Sequence, residues 1–440
     1  MHTIRHPNHL FYSLRRASTL LLCLCLCLAG CDRKKQDPFP PTIEIYSPLT
    51  GALFYYQNTI TINAEVRDNV KLESITLEIT DAQNNRYLDS KTFIPQGNSF
   101  SLDYTISHAD LYLSSGSYFV RITASDGENT QITFREIQLI EAPRVLERVF
   151  VVRENGSASS IDTLGESNVL PCQSYNHPYL FGAIDSRSQQ MVACSNSPST
   201  LLSRSFPDFL ELSTAFPPTN EVLTAFYHDK NDHRFFWGSQ TGTIWKTDLY
   251  GTQTFASLGQ GAKVIAMGSS PSHLIVITEN ANNNERYVHA LRADNGIAET
   301  SLAVGWEAMR IVAMDSDNQR VLLIGNEGNL ARFQWFNLAT SALNEVFNFY
   351  ESSTILSVCD ASGNDFYTIQ ANGIVRYSNL LGSYNTTNSV PAEKLFFDDY
   401  SNTLWAIAPN TLYQLDASGT SVLRTVSAPG IIDVWLKYNK

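Results

Sequence analysis

One pattern returns through the C-terminal two thirds of the chain at intervals of roughly 40 residues: an apolar strand, a turn rich in Asp or Ser, a second strand rich in aromatic and β-branched residues, then Asn or Gly. Residues 179–184 lead through Asp185 and Ser186 to 191–194 and Asn196, and residues 223–227 lead through Asp229 to Phe235, Phe236, Trp237 and Gly238. Residues 264–267 are answered by 274–277 and Asn280, 311–314 by 321–324 and Asn326, 355–359 by 366–369 and Asn372, and 395–397 by 404–407 and Asn410. A small sheet of this kind cannot bury both of its faces alone, so neighbouring units must stack. Tyr (20) and Phe (23) are abundant, while amphipathic helical periodicity is hard to find, which points to an all-β chain.

The ends of this region hold two halves of a further unit. Residues 149–152 run into Asn155 and Gly156 as a second strand without its first, and residues 431–436 form a first strand without its second. Pairing them closes a ring and removes the open edges that a fan of sheets would otherwise expose. The expected architecture of residues 145–440 is therefore a β-propeller of seven blades, one of them shared between the termini of the domain, with six or eight as alternatives. Phe226-Tyr227-His228-Asp229, followed by Phe235-Phe236-Trp237-Gly238-Ser239 and by Ile244-Trp245-Lys246-Thr247-Asp248, resembles a YWTD-type propeller repeat. Its core letters depart from that pattern, so the resemblance implies the fold and carries no ligand.

Residues 41–142 show about seven short alternating runs separated by turn-rich pieces, the count of an immunoglobulin-like β-sandwich. Pro41-Thr42-Ile43-Glu44-Ile45, Ala64-Glu65-Val66-Arg67-Asp68-Asn69 and Gly116 through Gly127 resemble bacterial immunoglobulin-like modules. In such a module Asp68 and Asp126 stand at neighbouring strand ends, where oxygen ligands suit calcium; turn-forming aspartates explain them equally well. No other cofactor is expected.

The N-terminal residues 1–30 carry Arg5, Arg15 and Arg16, no acidic residue, and an apolar run over 20–28 that is too short to span a bilayer. They read as a signal peptide. Leu28-Ala29-Gly30-Cys31 resembles the lipobox of bacterial lipoproteins. That resemblance implies cleavage before Cys31, diacylglycerol and palmitate on that residue, and anchoring of the mature chain to a membrane of the cell envelope through a tether over 31–40. The outer membrane is the expected destination, although Asp32 resembles an inner-membrane retention signal of some bacteria. The chain has 31 basic and 43 acidic residues, and the signal takes three of the arginines with it, which argues against a nucleic-acid partner.

Export makes a disulfide permissible, and Cys172 with Cys194 is the expected pair. Beyond residue 30 the spacing offers no Cys-x-x-Cys or His-x-x-x-His zinc pattern, no Gly-x-Ser-x-Gly and no phosphate-binding glycine loop. Asn155, Asn196, Asn280, Asn326, Asn372 and Asn410 are the most regular polar feature. They are candidates for a ring of amides binding carbohydrate or peptide, and equally for hairpin residues that tolerate a left-handed backbone. The turn aspartates, among them Asp185, Asp229, Asp315, Asp360 and Asp398, read as turn caps. His228, Asp229, Asp232 and His233 read as one solvated hairpin turn. Trp306, Trp335, Phe336, Tyr384 and Tyr400 are candidate exposed aromatics for binding. Together these features suggest a non-enzymatic scaffold presenting a propeller to an envelope protein or glycan. The alternative is a glycoside hydrolase or lyase whose carboxylates come from different blades.

Overall fold

A computed structural model describes residues 37–440 apart from 88–89, 167, 197–198, 207, 216–220, 249, 315–316, 347–352, 362–364 and 379–382. The signal peptide and Cys31 lie outside the described residues, as do Asp315 and the side chains of Asn155 and Tyr384. Every element among the described residues is a strand, and the chain divides into two compact units, residues 1–143 and 144–440.

The first unit has two sheets over one core. Thr42–Ser47, Thr59–Arg67 and Ser99–Ser107 form a three-stranded sheet in that order, and Ala52–Tyr55, Thr130–Ile140, Gly116–Ser125, Ser74–Thr80 and Lys91–Phe93 form a five-stranded one. The central strand of the first sheet alternates strictly: Ile60, Ile62, Ala64 and Val66 are buried, whereas Thr59, Thr61 and Arg67 face out. Its buried face meets Ile75, Leu77, Ile79, Val120, Ile122 and Ala124 of the second sheet in a single apolar cluster. Such a period of two is what one dry and one wet face require.

Among the described residues the second unit contains seven four-stranded antiparallel sheets. Six of them are continuous in sequence, and each begins with an inner strand: Phe181–Asp185, Leu223–Asp229, Ala262–Ser269, Glu307–Met314, Ile355–Asp360 and Lys394–Asp398, in what we call sheets 2 to 7. Sheet 1 takes its inner strand from the chain end, Ile431–Tyr438, and its others from Leu146–Asn155, Ala158–Leu164 and Val169–Tyr175. Trp435 stands opposite Phe150 and Val434 opposite Val151 in this antiparallel pairing. Each inner strand touches the inner strand of the next sheet, and the circuit returns from sheet 7 through sheet 1 to sheet 2.

Because each sheet is covered on both faces by its neighbours, the second strands are apolar without alternation. Met191, Val192, Ala193 and Cys194 are all buried, as are Val321, Leu322, Leu323 and Ile324. Close approach also sets one glycine: a Cβ on Gly238 of sheet 3 would lie 2.5 Å from Val264 Cγ1 of sheet 4.

Candidate functional site

The inner strands end on polar residues: Asp185, Asp229, Ser269, Asp360, Asp398 and Tyr438 are the last residues of the inner strands of sheets 2, 3, 4, 6, 7 and 1. Their side chains, with neighbours one to four residues away, join sheet to sheet at one end of the ring. Asp185 Oδ2 accepts from His228 Nε2 at 3.1 Å and lies 2.7 Å from His233 Nδ1, which links sheets 2 and 3. The Tyr227 hydroxyl lies 2.7 Å from Ser269 Oγ, linking sheets 3 and 4. Arg310 Nε stands 3.9 Å from Asp360 Oδ1 between sheets 5 and 6. The Tyr438 hydroxyl donates to Asp398, joining sheets 1 and 7, and the Tyr438 amide donates to Ser186 Oγ at 2.9 Å, joining sheets 1 and 2. Lys230 of sheet 3 crosses to Asp399 of sheet 7 at 3.4 Å, and its ammonium stands 5.7 Å from the centre of the Phe396 ring. These pairs form a polar collar at one mouth of the ring.

The collar's charges are perturbed by where they sit. Burial pushes the Asp185 carboxyl up, but hydrogen bonds from His228, Ser188 and His233 outweigh it and hold the group well below the usual carboxylate range. Burial also lowers the His228 imidazole, against the pull of Asp185. The Asp360 carboxyl is raised by enclosure, opposed by Arg310 and Lys230 and reinforced by Asp399. Beside it, burial pushes the Cys359 thiol up to about 12, which makes it a poor nucleophile.

Three turn aspartates behave as expected for turn caps. Asp185 Oδ1 accepts the Ser188 amide, Asp229 Oδ1 the amides of Asn231 and Asp232, and Asp398 Oδ1 the amide of Tyr400. The expectation of a merely solvated turn at 228–233 needs correction, since His228 is stacked on Phe235, its side chain is 13% exposed, and both histidines are committed to Asp185.

Of the recurrent asparagines whose side chains are described, two are committed to the next sheet. Asn196 Nδ2 donates to the Leu223 carbonyl at 2.9 Å while its Oδ1 accepts the Leu223 amide at 2.8 Å. Asn326 makes the same two bonds to Ile355. Both side chains are therefore spent latching one sheet to the start of the next inner strand. Asn410 has a positive φ of 63° and accepts the Gly430 amide at 3.1 Å, just before the inner strand of sheet 1. Asn280 closes its own turn through the Asn282 amide at 2.9 Å, and Asn372 is an exposed turn residue before Gly373.

The expected Cys172–Cys194 bond is absent: both thiols are free, Cys172 exposed on the outermost strand of sheet 1 and Cys194 buried on the second strand of sheet 2. Two of the expected exposed aromatics are core residues. Phe336 is fully buried, and Trp306 is buried with its indole N–H donating to Gln334 Oε1 at 2.9 Å. Trp335 is partly buried and faces the Arg320 guanidinium, 5.1 Å from its ring centre. Tyr400 is exposed, with the Arg144 guanidinium 4.2 Å from its ring centre. In the first unit, Asp68 and Asp126 do meet, together with Asp37 from the stretch read as a tether.

No protein-family model and no curated protein matches the chain. Among solved structures it is similar to a protein from Lactobacillus plantarum, with a TM-score of 0.53 and 12% identity over 67% of this chain and 100% of that one. A functionally unknown protein from Desulfotomaculum acetoxidans gives a TM-score of 0.50 and 12% identity over 66% and 98%. A quinonprotein alcohol dehydrogenase-like protein from Bacteroides thetaiotaomicron gives 0.48 and 10% over 90% and 99%. At these identities the likeness is one of fold alone. The chain is an all-β protein with propeller-like architecture.

Proposed function

We propose that this chain is a lipid-anchored envelope protein in which an immunoglobulin-like sandwich carries a seven-bladed β-propeller, and that the propeller binds a protein or glycan partner without chemical turnover. The observation that carries this reading is the collar: six of the seven inner strands deliver polar ends to one mouth, and most of those groups are already engaged with one another. Paired charges on rigid strands make a preorganised recognition surface. The carboxylates that reach solvent at the rim are Asp360 and Asp399, while Asp185, Asp229 and Asp398 are buried behind them. Cationic and hydroxyl-rich partners suit that rim.

The test is affinity capture of the tagged, lipidated protein from intact envelopes, with protein and glycan partners both identified. Capture is compared with an Asp360→Asn, Asp399→Asn double variant, and partners that survive this change unaltered argue against the collar. The anchor has its own readout: Cys31→Ser should move the protein out of the membrane fraction and abolish palmitate labelling.

The hydrolase or lyase reading is favoured by one feature, the raised Asp360 carboxyl near the Asp399 charge. It requires release of reducing ends or unsaturated sugars from envelope polysaccharide, lost in Asp360→Asn. Absence of such products from the wild-type protein disposes of it.

A further inference from the structure

One end of the first unit gathers Asp37, Asp68 and Asp126, one carboxylate oxygen from each lying within 4.8 Å of the others. Asp68 follows the strand Thr59–Arg67, Asp126 follows Gly116–Ser125, and Asp37 lies ahead of the first strand, six positions beyond Cys31. Asp126 is held by its turn: Oδ1 accepts the amides of Glu128 and Asn129 at 2.6 Å, and Oδ2 accepts Asn129 Nδ2 at 2.9 Å. The Asp37 carboxylate receives Asn69 Nδ2 at 3.1 and 3.0 Å. Its backbone is fastened too, the amide donating to Glu128 Oε2 at 2.6 Å and the carbonyl accepting from Asn129 Nδ2 at 2.9 Å.

Asp68 differs from the other two. Its Oδ1 accepts the amides of Val70 and Lys71 at 2.8 and 2.9 Å, but its Oδ2 is buried and has no hydrogen-bond partner. The carboxylate is buried although part of the residue reaches solvent. A buried anionic oxygen without a donor is costly, and two further carboxylates beside it raise the cost. Among the described residues, the groups donating to the three carboxylates are neutral amides.

We propose that Asp37, Asp68 and Asp126 bind one calcium ion, which ties the segment following the lipidated cysteine to the sandwich. Calcium takes oxygen ligands at about 2.3 to 2.6 Å, so oxygens across its shell lie up to about 5 Å apart, whereas magnesium shells reach only about 4.2 Å. A set within 4.8 Å can wrap the larger ion. The Asn69 amide, which donates to Asp37, would offer its carbonyl oxygen as a further ligand on a half-turn about its last bond. The cation site stands on these contacts alone; the effect on the tether rests also on the lipid-anchor reading.

The test is calorimetric titration of the purified full chain with calcium chloride, and separately with magnesium chloride. The expected result is one calcium per chain with a dissociation constant on the order of 0.1 to 1 mM, the range of extracellular modules. Asp37→Asn, which lies outside every strand, should weaken binding at least tenfold with an unchanged circular dichroism spectrum, and Asp68→Asn should do the same. No saturable heat, an affinity unchanged in Asp37→Asn, or equal affinity for magnesium overturns the proposal. On membranes, calcium should slow tryptic release by cleavage after Lys35. A chain that binds calcium in solution but never enters the membrane fraction keeps the site and removes the anchor.

Discussion

Asn326 grips Ile355 with both ends of its amide, Nδ2 donating to the Ile355 carbonyl at 3.0 Å and Oδ1 accepting the Ile355 amide at 2.8 Å. The pair fastens the second strand of sheet 5 to the first residue of the inner strand of sheet 6, where it does the work of one rung of a β-ladder between sheets that share none. Asn326 is 4% exposed and Ile355 1%. Replacing the amide strands two peptide groups away from water. Asn326→Ala should therefore destabilise the second unit by about 2 to 6 kcal/mol, taking about 1 to 3 kcal/mol for each of the two buried groups left without a partner. Urea denaturation measures this. A variant within about 0.5 kcal/mol of wild type, as for an ordinary surface change, means that water replaces the amide at no cost.

The closure of the ring makes a second, larger prediction. Ile431–Tyr438 completes sheet 1, and Trp435, 4% exposed, packs there with Phe150, Val152 and Ile184. Ending the chain at Gly430 removes that indole, which buries about 150 to 250 Å², and it bares the edge of Leu146–Asn155. At about 25 cal/mol per Å² the indole alone accounts for about 4 to 6 kcal/mol, comparable with the whole stability of a domain, about 5 to 15 kcal/mol. The truncated protein should lose the melting transition of the second unit and keep that of the first, as read by calorimetry and limited proteolysis of the form lacking residues 1–31. Two unchanged transitions would make the last strand a dispensable tail.

The sheets were legible because their second strands are continuous apolar runs bounded by turn residues, as at 191–194 and 321–324, and because Ile431–Tyr438 lacked a partner close in sequence. Ala52–Tyr55 and Lys91–Phe93 were not read as strands. They are only 4 and 3 residues long and lie at sheet edges, where few positions are buried. The collar was illegible for a different reason. Asp185 meets His228 43 positions away and Lys230 meets Asp399 169 positions away, so each residue looked like an ordinary turn residue in its own hairpin. The asparagines were visible by their period, but a period does not reveal whether an amide faces solvent or the next sheet. Asp68 and Asp126 stood out at strand ends, whereas Asp37 was hidden in a stretch with no strand pattern.

A last prediction concerns pH. His289, in the strand Arg286–Arg292 of sheet 4, is 9% exposed, and its Nε2 lies 2.8 Å from Thr278 Oγ1 on the adjacent strand. Burial lowers this imidazole from its ordinary 6.5 to about 4. Between those values the unfolded chain binds a proton that the folded chain does not, so stability rises with pH across that window and falls on acidification. The contribution is fully present above about pH 6.5 and is lost as pH drops towards 4. At about 1.36 kcal/mol per unit the loss comes to about 3 kcal/mol. His289→Gln keeps a polar partner for Thr278 but cannot titrate, which removes this histidine's share while leaving the carboxylates' share in place. The stability difference between wild type and variant should therefore shift by about 3 kcal/mol between pH 7 and pH 4, in the direction that favours the variant in acid. Urea denaturation of the second unit at both pH values decides it, and curves that keep a constant separation mean that His289 titrates alike in the folded and unfolded chain.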